Sequence, residues 1–479
     1  MIGASIRFAI TDIFAKVLPY GLLALSSTAL PPERFVQISI AVSLINILSS
    51  FVAFGSKEFC TSAFSRLDHK TWNEYTESIT GLTLIGAIIS IIIAIPLFLT
   101  LKTAPLSNWW FWITCTISSL VMSNTQLTQV SLSLNQSYSL ASNQKIIAVL
   151  PLTLGISASI AVPFAPIEAF SLSTLITSTV IGYQAQRHLW KRTLKNFMRG
   201  SILNNQSILI GLLYGTSSLL GVGFSYAGQF ILAEIGEKSS AAIFSLCTLL
   251  LMTSMIISNS VNQTLTPHIL KMISRFRLIS SKNGVFTKYF SLISKLSGTT
   301  IAGTSILMYY VSDLIWSEYN SRQIITSLAI LGLGFIFNHI SYLYRLDLHS
   351  KGKDFRVASF TIITTSVSCL ILFITTSAAP TYGAIIGTAT GYLLIGLAAT
   401  ALLYRSDISG AFQMLSGSIS TLTLLSSSQF LLLSKMPQLS IIAFLTLVLL
   451  TVSAYIKLIN YMNSDFNGNK IQDEAITSL

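Results

Sequence analysis

The stretch RHLWKRTLKNFMRGSILNN, from Arg187 to Asn205, divides this chain into two apolar halves. It carries five Lys or Arg residues and no acidic residue. Six hydrophobic segments precede it and eight follow it. Each approaches the roughly 20 residues that cross about 30 Å of hydrocarbon as a helix. The stretch is therefore interpreted as a cytoplasmic connector between two groups of membrane spans.

The composition supports a membrane protein. Of the 479 residues, 52% are hydrophobic and only 10% are charged, against roughly a quarter charged in ordinary soluble domains. Helices are the expected spans, because lipid offers no hydrogen-bond partner to an open backbone. The apolar run after Arg7 continues without a cleavage pattern, so it is interpreted as a retained span and not as a signal peptide.

The basic residues lie mainly on one side of the predicted membrane. The net charge is +12, and 23 of the 29 Lys and Arg residues fall inside when fourteen spans alternate from a cytoplasmic N-terminus. This asymmetry is the positive-inside pattern. It places both termini in the cytoplasm and accounts for the basic charge without a nucleic-acid partner.

The second half of the chain repeats the first. The turn Glu33-Arg34 recurs as Glu237-Lys238, and each turn leads into a polar-striped span and then a long basic region. The prediction is an all-α polytopic membrane protein with about 14 transmembrane helices, in two pseudo-repeated six-helix lobes plus two C-terminal helices. Its parts are an N-terminal lobe (1–190), a basic connector (191–205), a C-terminal lobe (206–405), two additional spans (406–462) and a flexible cytoplasmic tail (463–479).

Two charges lie inside the first predicted span. Lys16 is nine residues past Arg7, and Asp12 lies one turn earlier on the same helix face. Charges at such depth normally face a protein interior or an aqueous cavity. One interpretation is that the two neutralise each other at i, i+4. The other is that Lys16 attracts an anionic substrate while Asp12 tunes it or takes a proton.

Several amide side chains also lie within predicted spans. Ser and Thr stripes in spans usually form hydrogen-bonding seams between helices, but Asn and Gln are costlier to bury unpaired. The amides are therefore candidates for lining a wet cavity that meets sugar hydroxyls. They are Asn46, Gln126, Gln229, Asn259 and Asn262.

A histidine, a charged pair and a row of glycines within the spans are expected to have structural roles. His339 is expected to pack, and Arg345 with Asp347 is expected to snorkel to the inner surface. Gly383, Gly387 and Gly391, four residues apart, predict a small-residue face that allows close helix approach.

No enzyme motif is evident. The sequence has no P-loop, no H-E-x-x-H and no paired C-x-x-C. The four cysteines indicate neither a disulfide framework nor a metal site. We therefore expect no catalytic residues, no metal and no cofactor.

The segment KVLPYGLLALSSTALPPERFVQISIAVSLINILSSFVAFG, from Lys16 to Gly55, resembles the opening helices of the polysaccharide-exporter and O-antigen flippase branch of the MOP superfamily. The shared features are a first helix interrupted by polar residues, a Leu-Pro-Pro-Glu-Arg-Phe turn and an amphipathic second helix before a basic loop. Family members often have Gly after the aromatic residue of that turn, where this chain has Val36.

The resemblance implies a MATE-like, V-shaped pair of six-helix lobes plus two extra helices. It also implies translocation of an undecaprenyl-diphosphate-linked oligosaccharide across the bacterial inner membrane by alternating access. The implied partners are this lipid, the bilayer and other glycan-assembly membrane proteins. Lys16 best suits the cationic role that the resemblance implies.

Rival functions remain open. A drug or cation antiporter of the same superfamily would need a buried acid for ion coupling, and Asp12 is the candidate. A membrane-embedded glycan polymerase is the enzyme alternative, but the predicted outward loops are short. A pore or scaffold would need neither the duplicated halves nor the charges within the first span.

Overall fold

The computed structural model describes residues 2–64, 83, 85–92, 109–135, 137–184, 205–275, 279–315, 320–405 and 407–477. Apart from short turns, the backbone of these residues is helical. In chain order the helices are α1 (Ile2–Ala29), α2 (Pro32–Val52), α3 (Ser56–Phe64), α4 (Trp109–Leu134), α5 (Tyr138–Ala161), α6 (Pro166–Gln184), α7 (Asn205–Glu234), α8 (Lys238–Arg275), α9 (Ile279–Ile315), α10 (Ser321–Ser350), α11 (Asp354–Ala378), α12 (Pro380–Leu403), α13 (Ile408–Leu433) and α14 (Pro437–Thr477).

Eight helices of the described part are both long and apolar enough to cross a membrane: α2, α5, α7, α8, α10, α11, α12 and α14. Large apolar side chains remain exposed on the outer helices, including Phe373 on α11, Phe430 on α13 and Leu449 on α14. Such a surface is suited to lipid tails and unsuited to water. Residues 191–204 of the connector and most of the third predicted span, about 79–101, lie outside the described residues.

Helix packing reproduces the predicted internal repeat. In the first lobe α1 packs on α5 and α5 on α6, while in the second α7 packs on α11 and α11 on α12. The lobes meet reciprocally, because α1 contacts α8 and α2 contacts α7. The two additional helices, α13 and α14, pack on each other and on α9. The all-α, two-lobed fold class is therefore confirmed, while the exact domain boundaries stay a prediction.

Some regions predicted as loops are helical. The sequence predicts loops at 56–78 and 267–295, but α3 lies in the first region, and α8 and α9 extend into the second. α14 likewise continues through the predicted tail to Thr477. Hydropathy marks only the part of a helix inside the hydrocarbon. The backbone hydrogen bonds continue beyond it, where Lys and Arg are good helix formers.

The glycine face of α12 packs as expected. A Cβ added to Gly387 would meet the Cα of Leu372 on α11 at 2.8 Å, and one added to Gly391 would meet Ser368 Cβ at 2.9 Å. Gly383 approaches the backbone of Thr375 in the same way. These glycines let α11 and α12 approach closely along their length.

Two turns position the residues discussed below. After α2, Phe54 and Gly55 adopt φ values of 48° and 72°, which redirect the chain into α3. After α10, Gly352 has φ 64°, and the amides of Gly352 and Lys353 donate to the carbonyls of His349 and Leu348, both at 3.0 Å. This Schellman motif ends α10 and starts α11 within three residues.

Candidate functional site

A polar cavity of about 430 Å³ lies between the two lobes. Its walls come from α2, α3 and α4 of the first lobe and from α7, α8, α10, α11 and α12 of the second. The lining residues of α2, α4 and α10 lie toward the C-terminal ends of those helices, those on α11 lie toward its N-terminal end, and those on α7 lie in its middle. The cavity therefore occupies the half of the membrane that the positive-inside pattern places toward the cytoplasm.

Two cations line this cavity from opposite lobes. Lys57, in the first turn of α3, donates from Nζ to Gln126 Oε1 on α4 at 2.8 Å. Arg345, near the end of α10, has its guanidinium carbon 6.0 Å from the centroid of the Tyr342 ring. Both residues are among those that line the cavity. The site therefore presents positive charge from both lobes to one space.

The surroundings of Lys57 act on its charge in opposite directions. Burial lowers the pKa of the Lys57 ammonium, and the neighbouring Glu58 carboxylate partly opposes this effect. A second negative group entering the cavity would stabilise the charged form further. On the other wall, Arg345 Nε is buried and makes no hydrogen bond within the described part of the chain. The guanidinium thus keeps donor capacity that a phosphate oxygen could use.

The rest of the wall is rich in hydroxyl and amide groups. These groups can both donate and accept hydrogen bonds, as sugar hydroxyls do. They come from both lobes and line the same cavity as the two cations. They include Gln129, Ser133, Ser217, Ser218, Ser225, Gln263, Asn338, Thr361, Thr364 and Thr365.

The opposite end of the lobe interface is closed. Lys238 Nζ lies 2.7 Å from Glu33 Oε1, so the two equivalent turns of the repeat pair with each other. Deeper in, Gln229 Oε1 of α7 accepts from Ser39 of α2 at 3.0 Å and from Ser245 of α8 at 2.8 Å. A gap of about 10 Å³ lies beside Gln229. We call the Glu33–Lys238 pair and the Gln229 contacts the periplasmic closure, after the predicted orientation.

Linking the two turns should arrest the protein in this state. In a variant without native cysteines, Glu33→Cys with Lys238→Cys can be joined by a cleavable bis-methanethiosulfonate linker. A direct disulfide would need Cα atoms within about 7 Å, which two long side chains do not guarantee. If the protein transports by alternating access, as the family resemblance implies, the linked protein should lose transport and regain it after reduction. Each single-cysteine variant, treated in the same way, serves as a control.

Full transport by the linked protein would contradict this prediction. It would show that the two lobes need not separate at the Glu33–Lys238 pair during the cycle. The extent of linking can be measured by mass spectrometry of the peptides that contain the two cysteines. Transport would then be compared only between fully linked and fully reduced samples.

The structure places the predicted site residues in different surroundings. Asp12 and Lys16 belong to α1, but their side chains lie outside the described residues. Gln126 contacts the cavity cation Lys57. Gln229 is part of the periplasmic closure. The substrate role of these four residues remains a prediction.

The other amides are also separate from the cavity wall. Asn46 contacts the hydroxyls of Tyr20 and Tyr226 between the lobes. Asn262 accepts from Tyr289 inside the second lobe. Asn259 is half-buried on α8. None of the three is among the residues that line the cavity.

Sequence reasoning missed the residues that carry charge into the cavity. Lys57 lies in a region that the sequence predicts as a loop, and Arg345 lies where the sequence predicts snorkelling to the inner surface. Asp347 instead pairs with Lys351 at 2.8 Å, while Arg345 lines the cavity. Lys145 is also buried, and its Nζ donates to Gln263 Oε1 across the lobe interface at 3.0 Å. Each cation lies near the end of a span, where the positive-inside pattern already accounts for Lys and Arg. A role in the cavity therefore leaves no separate signal in the sequence.

The fold is similar to that of MATE transporters of known structure. A point mutant of the Vibrio cholerae MATE transporter VcmN matches with a TM-score of 0.52 at 16% identity, covering 86% of this chain and 100% of that one. An outward-facing multidrug resistance MATE family transporter of the MOP superfamily gives a TM-score of 0.51 at 14% identity, covering 86% and 96%.

A MATE structure in the straight conformation gives a TM-score of 0.53 at 14% identity, covering 86% of this chain and 96% of that one. No protein-family profile and no curated protein matches the sequence. At these identities the likeness concerns the fold. This chain therefore has the two-lobed helical fold of MATE transporters, which belong to the MOP superfamily.

Proposed function

We propose that this protein is a flippase for a lipid-diphosphate-linked oligosaccharide. It carries the undecaprenyl-linked glycan of a surface polysaccharide from the cytoplasmic to the periplasmic leaflet of a bacterial inner membrane. The observation that supports this most is the presence of Lys57 and Arg345 on opposite walls of one hydroxyl-rich cavity between the lobes. A two-lobed transporter fold with a polar, cationic cavity suits an amphiphile with an anionic head and a sugar chain.

The two cations suit a diphosphate. Guanidinium groups present a planar fork that matches phosphate oxygens, and ammonium groups act as compact point charges. Hydrogen bonds to charged groups contribute roughly 1.5–3 kcal/mol each. The hydroxyls and amides around the cations would then contact the sugars. The lipid tail would stay in the bilayer, where the exposed apolar side chains lie.

The asymmetry of the interface supports the proposal of alternating access. The cavity lies toward the predicted cytoplasmic end, and the Glu33–Lys238 pair and the Gln229 contacts close the other end. Breaking the periplasmic closure while the cytoplasmic ends approach would expose the same residues to the other leaflet. Rocking of two pseudo-equivalent lobes can produce this change.

Deletion of the gene tests the proposal. We expect the surface glycan to disappear and its lipid-linked oligosaccharide to accumulate in the cytoplasmic leaflet. The leaflet can be assigned by treating inverted and right-side-out vesicles with a glycosidase that does not cross membranes. Normal surface glycan in the deletion strain, or lipid-linked glycan only in the periplasmic leaflet, would contradict the proposal.

One observation favours the antiporter alternative. Glu58 lines the cavity, and its Oε2 atom is buried without a hydrogen-bond partner in the described part of the molecule. A buried carboxylate could exchange a coupling ion for a cationic drug. In that case deletion would sensitise cells to cationic drugs while the surface glycan stayed normal, and Glu58→Gln would reproduce the sensitivity.

A further inference from the structure

A buried lysine lies behind the cavity wall where α5 of the first lobe meets α8 of the second. Lys145 donates from Nζ to Gln263 Oε1 at 3.0 Å. Gln129 of α4 donates from Nε2 to the same oxygen at 3.4 Å. Gln129 and Gln263 both line the cavity, whereas Lys145 is not among the lining residues. Lys145 thus contacts the cavity wall through the amide of Gln263.

The chemistry of lysine fixes which way the Gln263 amide points. An ammonium group has three hydrogen-bond donors and no acceptor, so the amide oxygen must face Lys145. The donor from Gln129 occupies the same oxygen. Within the described part of the chain, Gln263 Nε2 donates to no other residue. Both N–H bonds of this amide are therefore available to a group in the cavity.

Gln263 belongs to the same wall as the cation Arg345. Thr266 lies one turn further along α8, and its hydroxyl shares a hydrogen bond with the hydroxyl of Tyr342 on α10. The guanidinium carbon of Arg345 lies 6.0 Å from the centroid of the Tyr342 ring. All four residues line the cavity. Gln263 therefore continues the wall that carries Arg345 up to the contact with the first lobe.

We infer that Lys145 is a positioning residue that fixes Gln263 to donate hydrogen bonds to the diphosphate of the substrate. Ionised phosphate oxygens are strong acceptors, whereas a sugar hydroxyl can use either end of a freely rotating amide. Hydrogen bonds in a chain also polarise one another, so the ammonium strengthens the N–H donors of Gln263. This inference rests on the proposed function, because it needs a diphosphate in the cavity.

The test measures binding to the full chain in lipid nanodiscs, with farnesyl-diphosphate-linked N-acetylglucosamine as the probe. Gln263→Met removes both donors and should weaken binding at least about tenfold, because the acceptor is charged. Gln263→Glu keeps the size of the side chain and its contact with Lys145 but turns an oxygen toward the cavity. We expect it to bind the probe more weakly than Gln263→Met does. If the contact only held the lobes together, Gln263→Glu would keep the wild-type affinity.

Substitution of Lys145 tests the positioning role. Lys145→Met should weaken binding about fivefold, within the range for coupled neighbours. Lys145→Arg again offers only donors and should bind like wild type. In a Gln263→Met background, Lys145→Met should have no further effect, because Lys145 acts through the amide. A further loss in that background would show that the ammonium acts directly on the anion, and it would overturn the positioning role.

Lys295 provides a matched control on α9. Its Nζ donates to Ser291 Oγ at 3.0 Å, and it does not line the cavity. Lys295→Met removes the same charge and should keep the wild-type affinity. An equal loss in Lys295→Met and Lys145→Met would show a general charge effect and overturn the inference. If Lys145→Met does not fold, the comparison of Gln263→Glu with wild type decides the matter, because Lys145 stays in place.

A second probe separates the diphosphate from the sugar. The acetamido carbonyl of N-acetylglucosamine also accepts hydrogen bonds, and farnesyl-diphosphate-linked glucose lacks this group. Gln263→Met should weaken binding of both probes equally. A loss confined to the N-acetylglucosamine probe would assign the donors to the sugar and overturn the inference.

The failures are distinguishable. Absence of wild-type binding of both probes would overturn the anionic cavity of the proposed function, and this inference with it. Wild-type affinity in Gln263→Glu would overturn the role of Gln263 and Lys145 alone. In that second case the proposed function would stand.

Discussion

Alanine at both Lys57 and Arg345 is expected to reduce glycan export at least ~100-fold. Each cation lines the cavity, and each charged hydrogen bond to a diphosphate contributes about 1.5–3 kcal/mol. Loss of both removes about 3 kcal/mol or more of substrate binding. Surface glycan in a complemented deletion strain measures the effect, together with the amount of the variant protein in the membrane.

Two variants separate a specific role from a general charge effect. Arg356→Ala removes an exposed cation at the start of α11, so export should be unchanged. Arg345→Lys keeps the charge but loses the planar fork, so export should be intermediate. Normal export by the double alanine variant at wild-type protein amounts would eliminate the cationic site on which the proposed function rests.

Gly387→Ala is expected to destabilise the protein by about 2 kcal/mol, within the range for overpacked sites. The added Cβ would meet the backbone Cα of Leu372 at 2.8 Å, and the Thr375 hydroxyl also lies in its way. Backbone atoms of a packed helix cannot move aside independently. α11 and α12 would therefore separate along their shared face, which should lower the midpoint of thermal unfolding in detergent.

Gly223→Ala is the matched control. A Cβ at this position on α7 would meet nothing within 4 Å, and Ala is intrinsically better than Gly in a helix by about 1 kcal/mol. The control should therefore leave the unfolding midpoint unchanged or raise it. Equal destabilisation by both substitutions would show that the α11–α12 contact is not the cause.

The resemblance and the structure agree on the fold, but they point to different charged residues for the site. The predicted charges Asp12 and Lys16 lie on α1, with side chains outside the described residues. The cavity cations that the structure shows come from α3 and α10. If Lys16 also reaches the cavity, a Lys16→Ala variant should weaken export beyond the effect of the Lys57 and Arg345 substitutions.

The sequence by itself determined the helical class, the number of lobes and the close approach along Gly383 to Gly391. These features depend on local rules: the length of an apolar run, the side on which Lys and Arg accumulate, and helical spacing of small residues. Each can be counted along the chain without knowing which helices touch. The duplication was visible for the same reason, because equivalent turns repeat in order.

Only the tertiary structure decided which polar residues share the cavity. Lys57 and Arg345 are far apart in the chain, and each resembles an ordinary charge at the end of a span. Conversely, the buried amide Gln229, a candidate for lining the cavity, is satisfied within the periplasmic closure. Burial and charge can be inferred from local sequence. Which wall a side chain faces depends on contacts between distant helices, and those contacts arise only when the two lobes pack together.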